Sequence, residues 1–477
     1  MAITVGRPMR LALVSIALPL AACAPDLGPM PEAKALSSFE MSQSFAAPQA
    51  AWPEEEWWKA YGDPQLDALI AEAIADSPDL KMAAARVRGM AAMEDVAGAD
   101  LWPTVNGEAA LQETHPSRNQ GFPYPYNALL PKGWHTSASL AAQLDYELDF
   151  FGKNRAALAA ATSEAEAAKA EQAEARLAIS AGVATTYATL NGLFTDQSLA
   201  HDAVRIRETD LSLVQSRYSR GLENRGQLSQ AKAQLESAKT QAAVYDRLVL
   251  LARHQLAALL GKGPDRGLSI QPTLRAALKA PGLPSSLSVD LIGRRPDIIA
   301  ARLNVEAASS RVDVANANFY PNVDLVAAFG VEGLDAKDLF SGTSAVGKLG
   351  PAITLPIFHY GRITGAYRGA RAQYDAAVAN YDKTVANALK DVADAYGSRR
   401  GVEAELVHAH AGLQEAENSY DVLSRRYKAG ITPYTDLLNA ESELIEARRV
   451  TADLESEAFA DDIALARALG GGYSASK

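Results

Sequence analysis

One cysteine, Cys23, stands among 477 residues. A chain with a single thiol forms no internal disulfide and offers no thiolate metal cage. Histidine is scarce too, at seven. His408 and His410 are two apart on a predicted helix, so they point to different faces and make a poor metal pair. His201, His254 and His359 are isolated. The glycine run Gly470-Gly471-Gly472 has no strand before it and no Lys-Ser/Thr after it, which a phosphate loop needs. No nucleophile and base are set for one another, so the chain is expected not to be an enzyme and to need no cofactor or metal. Positive charge is also short. Lys and Arg number 46 against 57 Asp and Glu, for a net charge of −11. The charges are spread evenly, and the basic patch of a nucleic-acid binder is missing.

What the chain does have is a long internal repeat. Arg217-Tyr218-Ser219-Arg220-Gly221-Leu222 is matched at an offset of 209 residues by Arg426-Tyr427-Lys428-Ala429-Gly430-Ile431. Leu228 and Leu437 follow at the same spacing. Each stretch reads as the end of one long helix, a glycine stop and the start of another. Upstream, Ser77-Pro78-Asp79-Leu80 is matched by Arg295-Pro296-Asp297-Ile298, and Trp102-Pro103 by Tyr320-Pro321. Phe151-Gly152 is matched by Tyr360-Gly361. A repeat of this size sets the architecture before any motif does.

Within each copy the hydrophobic period changes from 3.6 to 2 and back. Val105, Gly107, Ala109 and Leu111 alternate with Thr104, Asn106, Glu108 and Gln112. Ala138, Leu140, Ala142 and Leu144 alternate with Ser137, Ser139, Gln143 and Asp145. The second copy repeats this from Val323 and from Leu349. Strands are expected over 104–113, 137–149, 322–332 and 348–358. Their length suits a tilted membrane strand of roughly 9–11 residues. The alanine-rich stretch from Gly152 to Gly221 predicts a helix about 105 Å long. Two shorter helices would line it.

The domain reading follows. Residues 1–22 are a signal peptide, with Arg7 and Arg10 ahead of the short apolar run Leu11–Leu18. Residues 23–56, with five prolines, form an extended tether. The first repeat is 57–261, with its tip at 217–228. A connection over 262–295 lies in an equatorial belt. The second repeat is 296–469, with its tip at 426–437, and 470–477 is a tail. Four strands per chain cannot close a barrel, and an open sheet edge is not tolerated in lipid. Three copies would supply 12 strands and a continuing helical tube.

Leu20-Ala21-Ala22-Cys23 resembles a bacterial lipobox, which implies cleavage before Cys23 and its lipidation. Ala24 in place of Asp resembles the outer-membrane sorting class. Lipobox, paired Pro-strand-Gly hairpins, long alanine-rich helices and paired Arg-Tyr-x-x-Gly tips together resemble the TolC family of outer-membrane efflux proteins. The likeness is closest to its lipidated NodT-type branch and covers roughly residues 57 to 470. The resemblance implies a mainly helical chain with a membrane β-barrel, assembled as a homotrimer in the bacterial outer membrane. It implies a passive duct for drugs or other small molecules. A periplasmic adaptor and an inner-membrane pump of the RND type would be its partners, with outer-membrane lipid around the barrel.

The resemblance also assigns the tips. Asp436 matches the first aspartate of a ring that narrows the periplasmic mouth and prefers cations. The second ring position is Asn439 here, which weakens a strong cation gate. Tyr427 matches a tyrosine that ties the closed tip together, beside Arg426. Its arginine partner in the family is Thr432 in this chain, so the closing network must differ. In the first repeat the matching acidic position is Gln227. Gly221, Leu222, Glu223, Gly430, Ile431, Thr432 and Pro433 resemble the adaptor-docking turns. On the residues alone, Asp436 could simply complement the helix dipole, and the glycines could simply be helix stops. Thr432-Pro433 reads as N-cap and first residue of the last helix. Two other functions use parts of the same pattern: the duct of a type I peptide or protein secretion system, and a non-channel surface lipoprotein acting as spacer or adhesin. The four alternating strands argue against a spacer.

Overall fold

A computed structural model describes residues 25–115, 117, 133–273, 282–285, 287–333, 335–358 and 361–474. Cys23 and Tyr360 lie outside the described residues.

The duplication is visible in the element lengths. α1 (Pro64–Asp76) is followed by α2 (Pro78–Ala99), β1 (Thr104–Thr114), β2 (His135–Glu147), α3 (Lys153–Ser219) and α4 (Arg225–Leu259). The second copy runs α5 (Pro296–Ala317), β3 (Asn322–Gly333), β4 (Ala345–Thr354), α6 (Arg362–Lys428) and α7 (Tyr434–Ala468). α2 and α5 each have 22 residues, α3 and α6 each 67, and α4 and α7 each 35. At 1.5 Å per residue, α3 and α6 are each about 100 Å long. Asp63 caps α1, accepting from the amides of Gln65 and Leu66 at 2.9 and 3.2 Å, with Pro64 at the first helical position. Ser77 ends α1 and starts α2: its carbonyl takes the Lys81 amide at 3.2 Å.

The chain forms two compact units. One gathers Arg88–Ala167 and Arg302–Asn380, and holds all four strands. They make one antiparallel sheet in the order β1-β2-β3-β4, so the two hairpins pair through β2 and β3. The register keeps the apolar sets on one face: Ala109 faces Leu140, Leu140 faces Val331, and Val331 faces Ala345. Much of that face is exposed within the chain, although Ala138 and Ala327 in the central strands are buried. Leu111, Leu349 and Ile353 are each about 70% exposed. Gln143 Nε2 donates to Glu108 Oε2 at 2.5 Å on the other face. At the foot of the sheet Phe151 stacks on Tyr320 with ring centroids 4.7 Å apart.

Two strands differ from expectation. β2 starts and stops two residues earlier than 137–149. β4 covers 345–354 rather than 348–358. The cause is β3. It begins only after Pro321, so its first residue Asn322 pairs with Thr354 and leaves nothing beyond Thr354 to pair with.

The other unit gathers Ala33–Val87, Ala168–Ala301 and the chain from Tyr381. Its larger core packs Trp57, Trp58, Tyr61, Leu66, Leu69 and Ile70 against Val183, Ala184, Tyr187 and Leu190 of α3. A smaller core at the helix tips joins Val214, Ala231, Tyr427, Tyr434, Leu437 and Leu438.

The N-terminal segment, expected as an extended tether, is bound along the chain rather than free, and it turns through a short 3-10 helix at Leu36–Ser38. In the strand unit Arg371 of α6 donates to the carbonyls of Gly28 and Pro29 at 3.0 and 3.1 Å, and Tyr374 to that of Pro31 at 3.1 Å. In the other unit the Lys34 amide donates to Asp382 at 2.9 Å, and Gln49 bridges to Leu283.

Candidate functional site

The long helices α3 and α6 end the same way. α3 ends in a Schellman turn: the Leu222 amide reaches the Arg217 carbonyl at 3.0 Å and the Gly221 amide reaches Tyr218 at 3.0 Å. α6 ends identically, with Ile431 on Arg426 at 2.9 Å and Gly430 on Tyr427 at 2.9 Å. Gly221 and Gly430 both have φ of 75°, a left-handed conformation that a side chain resists. The turns thrust Leu222 and Ile431 outward, 62% and 66% exposed. α4 then begins with a full capping box. Asn224 Oδ1 accepts the Gln227 amide at 3.1 Å, and Gln227 Oε1 accepts the Asn224 amide at 2.8 Å.

A buried contact joins the tips. The Tyr427 ring is fully buried, and its hydroxyl donates to Glu223 Oε1 at 3.4 Å. Arg217 Nε donates to the same oxygen at 3.1 Å, and its guanidinium lies 5.0 Å above the Tyr427 ring. Burial, then the Glu223 charge, pushes the Tyr427 phenol above its usual range, so it remains a donor at all ordinary pH. Tyr434 packs against Tyr427 at 5.7 Å. Burial, then Asp210, pushes its phenol up to about 12.

The expected site residues divide accordingly. Tyr427 holds the tips together, and its partners are Glu223 and Arg217 of the first repeat. Glu223 therefore differs from its expected place on the docking surface: its side chain is 5% exposed, drawn inward by Arg217 and Tyr427. Gln227 is engaged in capping. Arg426 is exposed and contributes its carbonyl to the turn. Pro433, expected as the first helical residue, is the N-cap of α7, and Thr432 precedes the cap. Instead of capping the backbone, the buried Thr432 hydroxyl donates to Asp436 Oδ2 at 2.6 Å. Asp436 and Asn439 are both exposed, one turn apart on α7.

The sequence reading missed the polar residues behind the latch. Arg207, Asp210 and Glu441 are all buried, and Arg207 Nη1 donates to Glu441 Oε2 at 3.0 Å. Their one signal was charge on the core face of otherwise apolar helical stripes.

With this geometry in hand, the comparisons are specific. The family profile described as "Outer membrane efflux protein" matches residues 69–262 and, again, 287–471. The chain belongs to that family. The double match falls on the two copies of the repeat. Fusaric acid resistance protein FusA of Burkholderia cepacia is 35% identical over 378 residues, covering 76% of this chain and 69% of that one. Pyoverdine export outer membrane protein OpmQ of Pseudomonas putida is 29% identical over 473 residues, 98% of each chain. The solved structure of the outer membrane protein VceC from Vibrio cholerae superposes with a TM-score of 0.83 at 38% identity, covering 89% of this chain and all of that one. The protein is thus an outer-membrane efflux component with the TolC-like fold. Its named relatives are channels and export proteins rather than enzymes.

Proposed function

We propose that three copies of this chain assemble into the exit duct of a tripartite efflux system. The open sheet carries the proposal. Its outer strands β1 and β4 have no further strand partner among the described residues, and its apolar face is largely exposed. In lipid such edges must be paired, and further copies of the same sheet supply the partners. Three copies give 12 strands, an even number within the range of bacterial barrels.

In this reading the tips are the periplasmic mouth. Tyr427, Glu223 and Arg217 form its latch. Asp436, with Asn439 a turn on, is repeated by symmetry around the opening, where converging carboxylates draw cations. Gly221, Leu222, Gly430, Ile431 and Pro433 form the surface that meets a helical hairpin of a periplasmic adaptor, which joins the duct to an inner-membrane pump of the RND type. Lipidation at Cys23 anchors the N-terminal segment in the outer membrane. The cargo is small organic molecules, the class to which the named functions of FusA and OpmQ point. A peptide or protein secretion duct uses the same fold, but neither of these relatives carries such a name. The protein's mass in detergent tests the assembly: three chains are expected, and a monodisperse monomer overturns it.

A further inference from the structure

α3 and α7 bury a second polar cluster behind the latch. Arg207 and Asp210 stand one turn apart on α3. Tyr434 and Glu441 stand two turns apart on α7. Glu441 is 0% exposed, Arg207 5% and Asp210 8%. Arg207 Nη1 holds Glu441 Oε2 at 3.0 Å, and Nη2 donates to Ser442 Oγ at 3.2 Å. The other Glu441 oxygen, Oε1, and Asp210 Oδ2 are sealed from solvent, and no N–H or O–H among the described residues reaches either. The two carboxyl groups are near enough to repel one another when both are charged. Ionised carboxylates only accept, so two buried oxygens that no donor reaches call for a proton on one of them. The charge count agrees. Two carboxylates against one guanidinium would bury one excess negative charge, at a cost the site avoids by keeping a proton.

The neighbours supply no alternative. From α6, Tyr420 and Ser424 face the pair. On α7, Tyr434 lies beside Arg207, and Arg448 is engaged by Glu417 at 3.1 Å. Arg449, which lines the same cavity as Arg207 together with Glu446 and with Asp196 of α3, is engaged by Glu446 at 2.6 Å and Asp453 at 3.0 Å. α4 presents the neutral Gln234 and Ser237 to the cavity that Arg207 lines.

We propose that Asp210 and Glu441 share a single proton that fastens α7 to α3 behind the tip, and that its loss in alkaline medium releases the tip. Burial, then the neighbouring Asp210 carboxyl, raises Glu441 from the ordinary 4.5 to about 9. A carboxyl raised on folding gives its full stabilisation below pH 4.5. That stabilisation declines as pH rises and is gone once pH passes about 9. Opening that frees one proton becomes up to about tenfold easier per pH unit across this interval. The effect on gating rests on the channel reading; the shared proton does not.

Two readouts on the full chain in detergent test this, with Glu441→Gln and Asp210→Asn as variants whose amides replace the proton as permanent donor. In infrared difference spectra, the wild type should show a buried protonated carboxyl band at neutral pH. The band should vanish at alkaline pH and be missing from Glu441→Gln. Hydrogen exchange at matched pH should show wild-type tip amides losing protection relative to both variants by up to about tenfold per pH unit. A missing band, or identical pH profiles for wild type and variants, overturns the proposal. If one variant misfolds, the wild-type band and the other variant still decide. Single-channel recordings on the same samples separate the readings. A wild type that shows the band but forms no pore sinks the channel reading and leaves the proton in place.

Discussion

Tyr427 and Glu223 are 204 residues apart in the chain, yet the phenol of one donates to the carboxylate of the other at 3.4 Å. Each belongs to a different copy of the repeat, so this bond closes one hairpin tip on the other. Arg217 strengthens it from above the ring and along the same oxygen. Replacing Tyr427 by Phe removes the bond and keeps the packing. The expected loss is roughly 0.5–1.5 kcal/mol, seen as about twofold to tenfold faster exchange of tip amides. Combining it with Glu223→Gln should add less than the sum of the single changes, because both remove the same contact. Unchanged exchange in Tyr427→Phe contradicts the latch.

Asp436 is exposed at the start of α7 and takes a hydrogen bond from Thr432. Asp436→Asn keeps that acceptor and removes the charge. The helix loses only about 0.3–1 kcal/mol of dipole complementarity. Cation selectivity should fall clearly, measured as reversal potential across a planar bilayer under a salt gradient. An unmoved reversal potential assigns Asp436 to the helix alone.

Glu174 offers a pH test away from the tips. Burial, then the charge of Asp297, pushes its carboxyl from 4.5 up to about 7. Its stabilisation is complete below pH 4.5 and is lost as pH rises through 7. Glu174→Gln should therefore be more thermostable than wild type at pH 8, by roughly 1–3 kcal/mol, with the gap narrowing at pH 5. Thermal scans at equal rates check this, and parallel pH profiles for the two proteins refute it.

Cys23→Ser should abolish palmitate labelling of the cell-expressed protein and leave it in the outer-membrane fraction, because the sheet rather than the anchor holds it there. Persistent labelling rules out Cys23 as the lipidated residue. Release into the periplasm shows that the anchor is required.

Much of this architecture was legible because it rests on periodicity. Trp102-Pro103 and Tyr320-Pro321 stop helices by removing donors, and alternation from Val105 and Val323 marks the strands. The tips were legible through Gly221 and Gly430, whose conformation excludes most other residues. The closing partner of Tyr427 was not. Contact between Glu223 and Tyr427 depends on how two long helix pairs lie beside each other, and no local pattern encodes that. Glu441 was hidden for a related reason. Its place in the Leu437, Leu438 and Leu444 stripe was its one sign among many Glu on the helix, and only the packing of α3 against α7 shows it buried.

The most direct test of a passive pore held shut at its tips is single-channel recording in planar bilayers. Wild-type assemblies should insert as discrete, low-conductance channels. The Tyr427→Phe, Glu223→Gln double variant should raise conductance or open probability several-fold. An assembled protein that forms no discrete channel, or a double variant indistinguishable from wild type, contradicts the account.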